Sequence, residues 1–485
     1  MGNLSFLKPE PLWNHFEELC NYPRPSKKEQ KVVQYVLNVI KKSGLEYEQD
    51  SFGNILVRKP ATPGYENRKT VCLQGHLDMV CEKNSDVQHD FENDPIQPYV
   101  DGDWVKAKGT TLGADNGIGV AAALAVMEAK DLQHGPLEFL FTLDEETGLT
   151  GASNLKPGFV KADILLNLDS EEDGSFYIGC SGGKDTEGTF TYKKENVPDN
   201  SLAYKIKVTG LKGGHSGLDI HLGRGNAIKI LTRLLWNLQN QFDIRLSKIE
   251  GGSKRNAIPR EAFAELVVAN NKADELEGFI NYYNTLVKSE NSTVEPNLKV
   301  DFEQSKLPEF VIDKSTQINL LNALYALPHG VIKMSPDLPG LVETSTNLAT
   351  ISFNDEIVVG TSQRSSVESE KEDVVVMNRA VFLLANAKVK HGDGYPGWKP
   401  DVNSEILKVM KEVYKNLYQK EPEVKAIHAG LECGIIKEKN PDMDMISFGP
   451  TIMGAHSPDE KVQISTVQKF YDLLIEVLKN IPVKN

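Results

Sequence analysis

Three short runs constrain this chain more than any other feature: TVCLQ at 70–74, FLFTL at 139–143 and ILLNL at 164–168 are apolar on both faces, and each leads directly into acidic or histidine residues. Strands without a polar face are usually covered by helices on both sides, as in parallel sheets. Between the first two runs lies 117–129, rich in small residues and helical in pattern, and a further strand, NILVR, stands at 54–58. Apolar residues at helical spacing from 12 to 42, broken by the turn-like NYPRPS, predict two opening helices. This alternation predicts an α/β fold whose mostly parallel central sheet is flanked by helices.

Beyond about residue 188 the pattern changes. Alternating strands at 203–208 and 262–268, with helices at 226–240 and 273–290, suit a sheet covered on one face. A similar succession from 298 to 387 leaves room for two related halves, although no sequence repeat can be demonstrated. HGDGYPGWKP at 391–400 reads as a linker, followed by helices at 404–418 and 465–478. At 485 residues the chain is long enough for two large domains or three of about 150 residues each. The expected division is one α/β domain formed by 1–187 and 394–485, interrupted by an inserted α+β domain at 188–393.

Acidic residues outnumber basic ones by 68 to 54, a net charge of −14 and the wrong sign for neutralising phosphates, so nucleic acid is not an expected partner. The apolar stretch at 119–127 falls far short of the roughly 20 residues that span a bilayer. The opening residues show no export signal, and Phe6 stands where a myristoylation motif at Gly2 needs Ser or Thr. Cys20, Cys72, Cys81, Cys180 and Cys433 form an odd set without a CxxC pair, which fits reduced thiols. The expectation is a cytoplasmic protein without a membrane partner.

The chemistry-bearing residues follow the strands, where α/β proteins usually bind ligands. His76 and Asp78 lie two residues apart and share one side if the strand continues through them; alone, they read better as a polar strand end. Asp115, among glycines before a helix, reads alone as a cap, and the absence of GxxxxGK[ST] and GxGxxG spacing removes a nucleotide loop. Asp144, Glu145 and Glu146 leave a core strand ahead of Gly148, Asp169 occupies the matching place after the next strand, and His456 sits in the distant loop MGAHSPDE. His and carboxylate donors together suit zinc or a similar divalent metal. Asp78, Asp115, Glu145, Glu146 and Asp169 in one cleft would repel one another by about 4 kcal/mol per pair at 4 Å and an effective dielectric of 20. Two cations bridged by an Asp would resolve this and create a hydrolytic site.

HLDMV, GADNGIG, DEETG, LNLD, GGHSG, HAGLECG and GAHSPDE, with YPGWKPD and SFGPTI, resemble the aminoacyl-histidine dipeptidases (peptidase D, Xaa-His dipeptidases) of the di-zinc aminopeptidase and carboxypeptidase superfamily, over nearly the whole chain. The resemblance implies two zinc ions per chain, with cobalt or manganese as substitutes. His76 and Asp169 would hold one, Glu146 and His456 the other, and Asp115 would bridge them. Asp78 would orient His76, and Glu145 would be the general base for a metal-bridging hydroxide. The insert becomes a lid, closing about hinges near 185–190 and 390–400. From it His215 would stabilise the developing oxyanion, while Asn256 and Arg364 bind substrate, Arg364 as clamp for the terminal carboxylate. Gly430 would line the site and Glu432 contact the substrate's amino terminus. Also implied are a carnosine-like Xaa-His dipeptide substrate and a homodimer formed through the lid. Ala455 before His456 is smaller than the residue relatives often carry, with the ligand itself intact. A tripeptidase, carboxypeptidase or N-acyl amino acid deacylase on the same scaffold remains open. A non-catalytic binder is disfavoured, since it would have no use for Glu145 beside Glu146.

Overall fold

The computed structural model describes residues 4–484, so the reading at Gly2 lies outside the described residues. The chain divides into two compact units. One comprises the described residues through Cys180, Trp398–Ala426 and the stretch from Leu431 onward; the other comprises Ser181–Gly397 and Ile427–Gly430.

In the first unit the apolar runs become the strands Val71–His76, Leu137–Thr142 and Ile164–Asn167, buried at every residue. Leu137–Thr142 and Ile164–Asn167 flank Val71–His76 in parallel, and Asp444–Ser447 adds parallel to Ile164–Asn167. Antiparallel strands Ile55–Lys59 and Ser175–Cys180 continue the sheet on either side. In register His76 faces Thr142, while Asn167 faces both Gln74 and Ser447, so the carboxyl ends of all four parallel strands reach one edge.

Helix Ala114–Glu128 packs against Val71–His76 and against helix Glu10–Cys20. Nearly all of its residues are buried, as expected of a helix without a polar face. A Cβ on Gly119 would lie 2.3 Å from the Leu168 carbonyl oxygen, so only glycine permits this approach to the loop after Ile164–Asn167. Strands Ile452–Met453 and Lys461–Gln463 form an antiparallel hairpin paired to Trp104–Ala107, and its tip carries His456. Helices Glu405–Tyr418 and Ile464–Lys479 pack on each other, and the former also covers Asp444–Ser447.

The second unit is built on an antiparallel sheet. Lys299–Ser305, Ser201–Thr209, Ala262–Ala269 and Arg245–Gly251 form one half; Val342–Phe353, Ile357–Ser365, Gly182–Phe190 and Lys388–His391 form the other, and the halves join where Gly251 faces Ile351. Helices Ala227–Phe242, Ala273–Glu290, Lys314–Ala326 and Glu368–Leu384 contribute apolar residues to one core with these strands. Cys20, Cys72, Cys81, Cys180 and Cys433 are free thiols. Among the described residues no helix is long and apolar enough to cross a membrane.

Candidate metal centre

Four loops leave the carboxyl edge of the first unit's sheet. The strand ends at His76, so Asp78 is not its extension; the chain turns, yet Asp78 Oδ1 still lies 3.3 Å from His76 Nδ1. The same carboxylate accepts the backbone N–H groups of Glu145 at 3.0 Å and Glu146 at 3.2 Å, and the Ser26 hydroxyl at 2.7 Å. One buried Asp therefore faces the histidine and also grips the backbone of the acid pair.

The Asp115 side chain does not cap its helix: its own backbone is extended (φ −80°, ψ 114°) at a break in the first turn, after Gly113 in the left-handed region at φ 70°. Instead Asp115 Oδ1 lies 3.2 Å from His76 Nε2 and Oδ2 lies 3.2 Å from His456 Nε2. Asp169 Oδ1 stands 3.4 Å from His76 Nε2, and Glu146 Oε2 stands 3.0 Å from His456 Nε2. Two ligand sets result, His76–Asp115–Asp169 and Asp115–Glu146–His456, sharing Asp115; Glu145 clusters with His76 and Glu146.

The residues fit divalent cations on two counts. Ligand atoms about 2.0–2.1 Å from a tetrahedral zinc are spaced by about 3.3 Å, which these nitrogen–oxygen separations match. Moreover, both nitrogens of His76 face carboxylate oxygens, and a neutral imidazole has only one N–H. At least one contact therefore sets lone pair against lone pair until a positive charge intervenes. Glu146 Oε1 and Asp169 Oδ1 are likewise buried without a hydrogen-bond partner.

The electrostatics show the same frustration. Burial, partly offset by His76, pushes the Asp169 carboxyl up to about 7. Burial also lifts Glu432 to about 7 and, with Asp115 and Asp169 beside it, Glu171 to about 8. Burial foremost, reinforced by Asp169, Glu432 and Glu146 against the pull of His76, holds Glu145 well above the usual carboxylate range. His76 is raised because Asp169, Asp115 and Asp78 outweigh its burial, and His456 is pushed up to about 11 by hydrogen bonds to Asp115 and Glu146.

In metal-free protein the raised acids retain protons in the folded chain that the unfolded chain releases above about pH 4, and the raised histidines do so above about 6.5. Stability is therefore lost as pH climbs toward 7 and 8. The melting temperature of chelator-treated protein is expected to fall between pH 5 and pH 8, and added zinc to raise it more at pH 8 than at pH 5. A calorimetric profile without that slope would contradict the assignment.

Glu432 is buried in the first unit, and its Oε2 accepts from Gln74 Nε2 at 2.6 Å and Thr142 Oγ1 at 2.7 Å. The other sequence-predicted residues belong to the second unit. There His215 pairs with Ala257 between short strands, beside exposed Asn256, whose carbonyl accepts the Ser216 N–H at 2.8 Å. His215 Nδ1 accepts the N–H groups of Gly217 at 3.2 Å and Leu218 at 3.1 Å, which leaves the proton of the neutral ring on Nε2. Burial and then Arg364 lower its pKa, favouring that neutral form. Arg364 is buried and donates to Tyr395 Oη at 2.8 Å, and Gly430 makes room for the Tyr395 ring, which a Cβ there would approach to 2.8 Å.

Sequence reasoning missed Arg24 and Glu460. Arg24, within NYPRPS, donates Nη1 to the carbonyls of Leu77 at 3.1 Å and Asp78 at 3.0 Å, and Nη2 to Gly113, tying two ligand loops together. Its flanking prolines signalled only a turn. Glu460 closes the segment GAHSPDE but carried no metal-ligand signal of its own.

Two adjoining ligand sets with an additional acid, gathered where the parallel strands end, are the equipment of a metallohydrolase. Residues 72–480 match peptidase family M20/M25/M40. The cytosol non-specific dipeptidase of Escherichia coli (strain K12) is 47% identical over 485 residues, all of both chains. The solved aminoacylhistidine dipeptidase from Vibrio alginolyticus is 46% identical with a TM-score of 0.94, covering 99% of each chain. The aminopeptidase PepT from Bacillus cereus ATCC 10987, 16% identical with a TM-score of 0.57 over 98% of this chain and 99% of its own, shares the fold. The chain belongs to peptidase family M20/M25/M40. It is an enzyme, a metallopeptidase that hydrolyses peptide bonds.

Proposed function

We propose that this chain is a cytoplasmic dipeptidase that uses two divalent ions, zinc by preference with cobalt or manganese able to substitute, and favours carnosine-like Xaa-His dipeptides. The observation that carries the two-ion reading is the Asp115 carboxylate, with one oxygen 3.2 Å from each histidine Nε2. His76 and Asp169 would hold one ion, Glu146 and His456 the other. When bound, such ions acidify water and polarise the scissile carbonyl.

Glu145 takes a proton from the attacking water and passes it to the leaving amine. Its backbone N–H is fixed by Asp78, which holds it beside Glu146. His215, with its proton on Nε2, donates to the oxygen where charge develops. Arg364 pairs with the substrate's terminal carboxylate, with Asn256 and Gly430 beside the bound peptide. Glu432 has one oxygen bonded to protein donors, leaving Oε1 for the substrate's amino group.

The dipeptide class draws support from both relatives, the Xaa-His preference from the aminoacylhistidine dipeptidase of Vibrio alginolyticus alone, and a wider range from the non-specific dipeptidase of Escherichia coli. The homodimer belongs to this reading too, formed through the inserted unit, where Val376, Met377, Leu383 and Leu384 expose apolar surface on one helix. A peptide panel with chelator and metal add-back tests the function. Xaa-His dipeptides are expected to give the highest kcat/KM, at least tenfold above tripeptides and N-acetyl amino acids. Chelation should abolish turnover and divalent metal restore it; preference for tripeptides, or indifference to chelator, would overturn the reading.

A further inference from the structure

We propose that Glu460 is the positioning residue that sets the spacing of the two ligand sets, by holding the Asp115 segment against the loop that carries His456. Its Oε2 accepts the backbone N–H groups of Leu112 at 2.7 Å and Gly113 at 2.9 Å, and its Oε1 accepts those of Ala114 at 2.8 Å and Asp115 at 3.2 Å. Four consecutive amides thus converge on one carboxylate that is 2% exposed. Hydrogen bonds to a charged acceptor are roughly twice as strong as neutral ones, so this grip fixes the backbone immediately before and at the bridging residue.

The other end of the linkage is equally determined. Glu460 lies in the same hairpin tip as His456, whose turn is closed by the Ser457 hydroxyl to the Gly454 carbonyl at 2.7 Å and by the Glu460 N–H to the Ser457 carbonyl at 3.1 Å. Strand Lys461–Gln463 begins at the next residue and is locked to Trp104–Ala107. A rigid hairpin therefore presents His456 to Asp115 Oδ2 with its imidazole and fixes the Asp115 backbone with its glutamate. The side chain that bridges the two sets is thereby indexed to the histidine of one of them. Partners outside the ligand shell commonly change metal affinity by 10–100-fold when altered.

This inference rests on the two-ion reading above, and the test separates them. Holoenzyme is stripped, and zinc binding is measured by competition with a chromogenic chelator for wild type, Glu460→Gln and Glu138→Gln. Glu138 is the control: it is also buried and accepts two backbone amides, Lys161 at 2.9 Å and Ala162 at 3.0 Å, at the amino end of the strands. Glutamine at 460 keeps the volume but turns an NH2 group toward two N–H donors. The expected result is a weakening of the second zinc by at least tenfold in Glu460→Gln and wild-type affinity for both ions in Glu138→Gln, whatever each does to the melting temperature.

Wild-type zinc affinity in Glu460→Gln, or equal weakening in both variants, would overturn the role of Glu460. A wild type that binds fewer than two ions would overturn the two-ion reading instead. Should Glu460→Gln not fold, Glu460→Asp, which keeps the charge and shortens the reach, is read by the same criterion.

Discussion

Replacing Glu145 with Gln is expected to lower kcat at least a hundredfold, about 2.7 kcal/mol of barrier, while both metals remain bound. The substitution preserves shape and the backbone bond from Glu145 N–H to Asp78, and removes only the capacity to hold a proton. Because Glu145 is raised by burial and by Asp169, Glu432 and Glu146, taking its charge away also relieves repulsion. The chelated variant should therefore melt no lower than chelated wild type at pH 8. Metal content by elemental analysis and steady-state kinetics check both halves, and near-normal turnover would remove Glu145 from the chemistry.

The second large effect is expected at Asp115. Asp115→Asn keeps the size of the side chain but leaves a neutral amide with a single oxygen where two histidines now face one oxygen each. Bound zinc should drop from two per chain to one or fewer, and kcat/KM should fall by more than the 10–100-fold typical of residues outside the ligand shell. Unchanged metal content would show that the two sets do not depend on this residue as a bridge. Glu145→Gln and Asp115→Asn thus give opposite metal readouts with a common loss of activity, which distinguishes proton transfer from ion binding.

Much of this was legible in the sequence because strands covered on both faces leave few alternatives. TVCLQ, FLFTL and ILLNL became neighbouring strands of the parallel sheet, and their C-terminal residues supplied His76, Asp144 to Glu146 and Asp169. The extended continuation through Asp78 was not correct, since local alternation cannot tell where a strand turns. Past the strand end, Met79 N–H bonds the Arg24 carbonyl at 3.1 Å, and Asp78 Oδ1 lies 3.3 Å from His76 Nδ1. Asp115 looked like a cap for the same reason: its side chain meets two histidines, one of them 341 positions away. Arg24 and Glu460 were missed because they act on backbone groups, and a carbonyl or amide leaves no signature in composition or spacing. The left-handed conformation of His456, φ 63°, was equally invisible, although the glycine and proline around it marked a turn.

His456 and Asp115 are 341 positions apart in the chain, and the parallel strand beside Ile164–Asn167 comes from Asp444–Ser447. During translation, therefore, the emerging polypeptide displays His76, Asp115 and Asp169 long before the second histidine leaves the ribosome. Until the hairpin docks, there is no paired centre. The Asp115–Glu146–His456 set is thus the later of the two to be completed, whereas His76, Asp115 and Asp169 all lie within the first 169 residues.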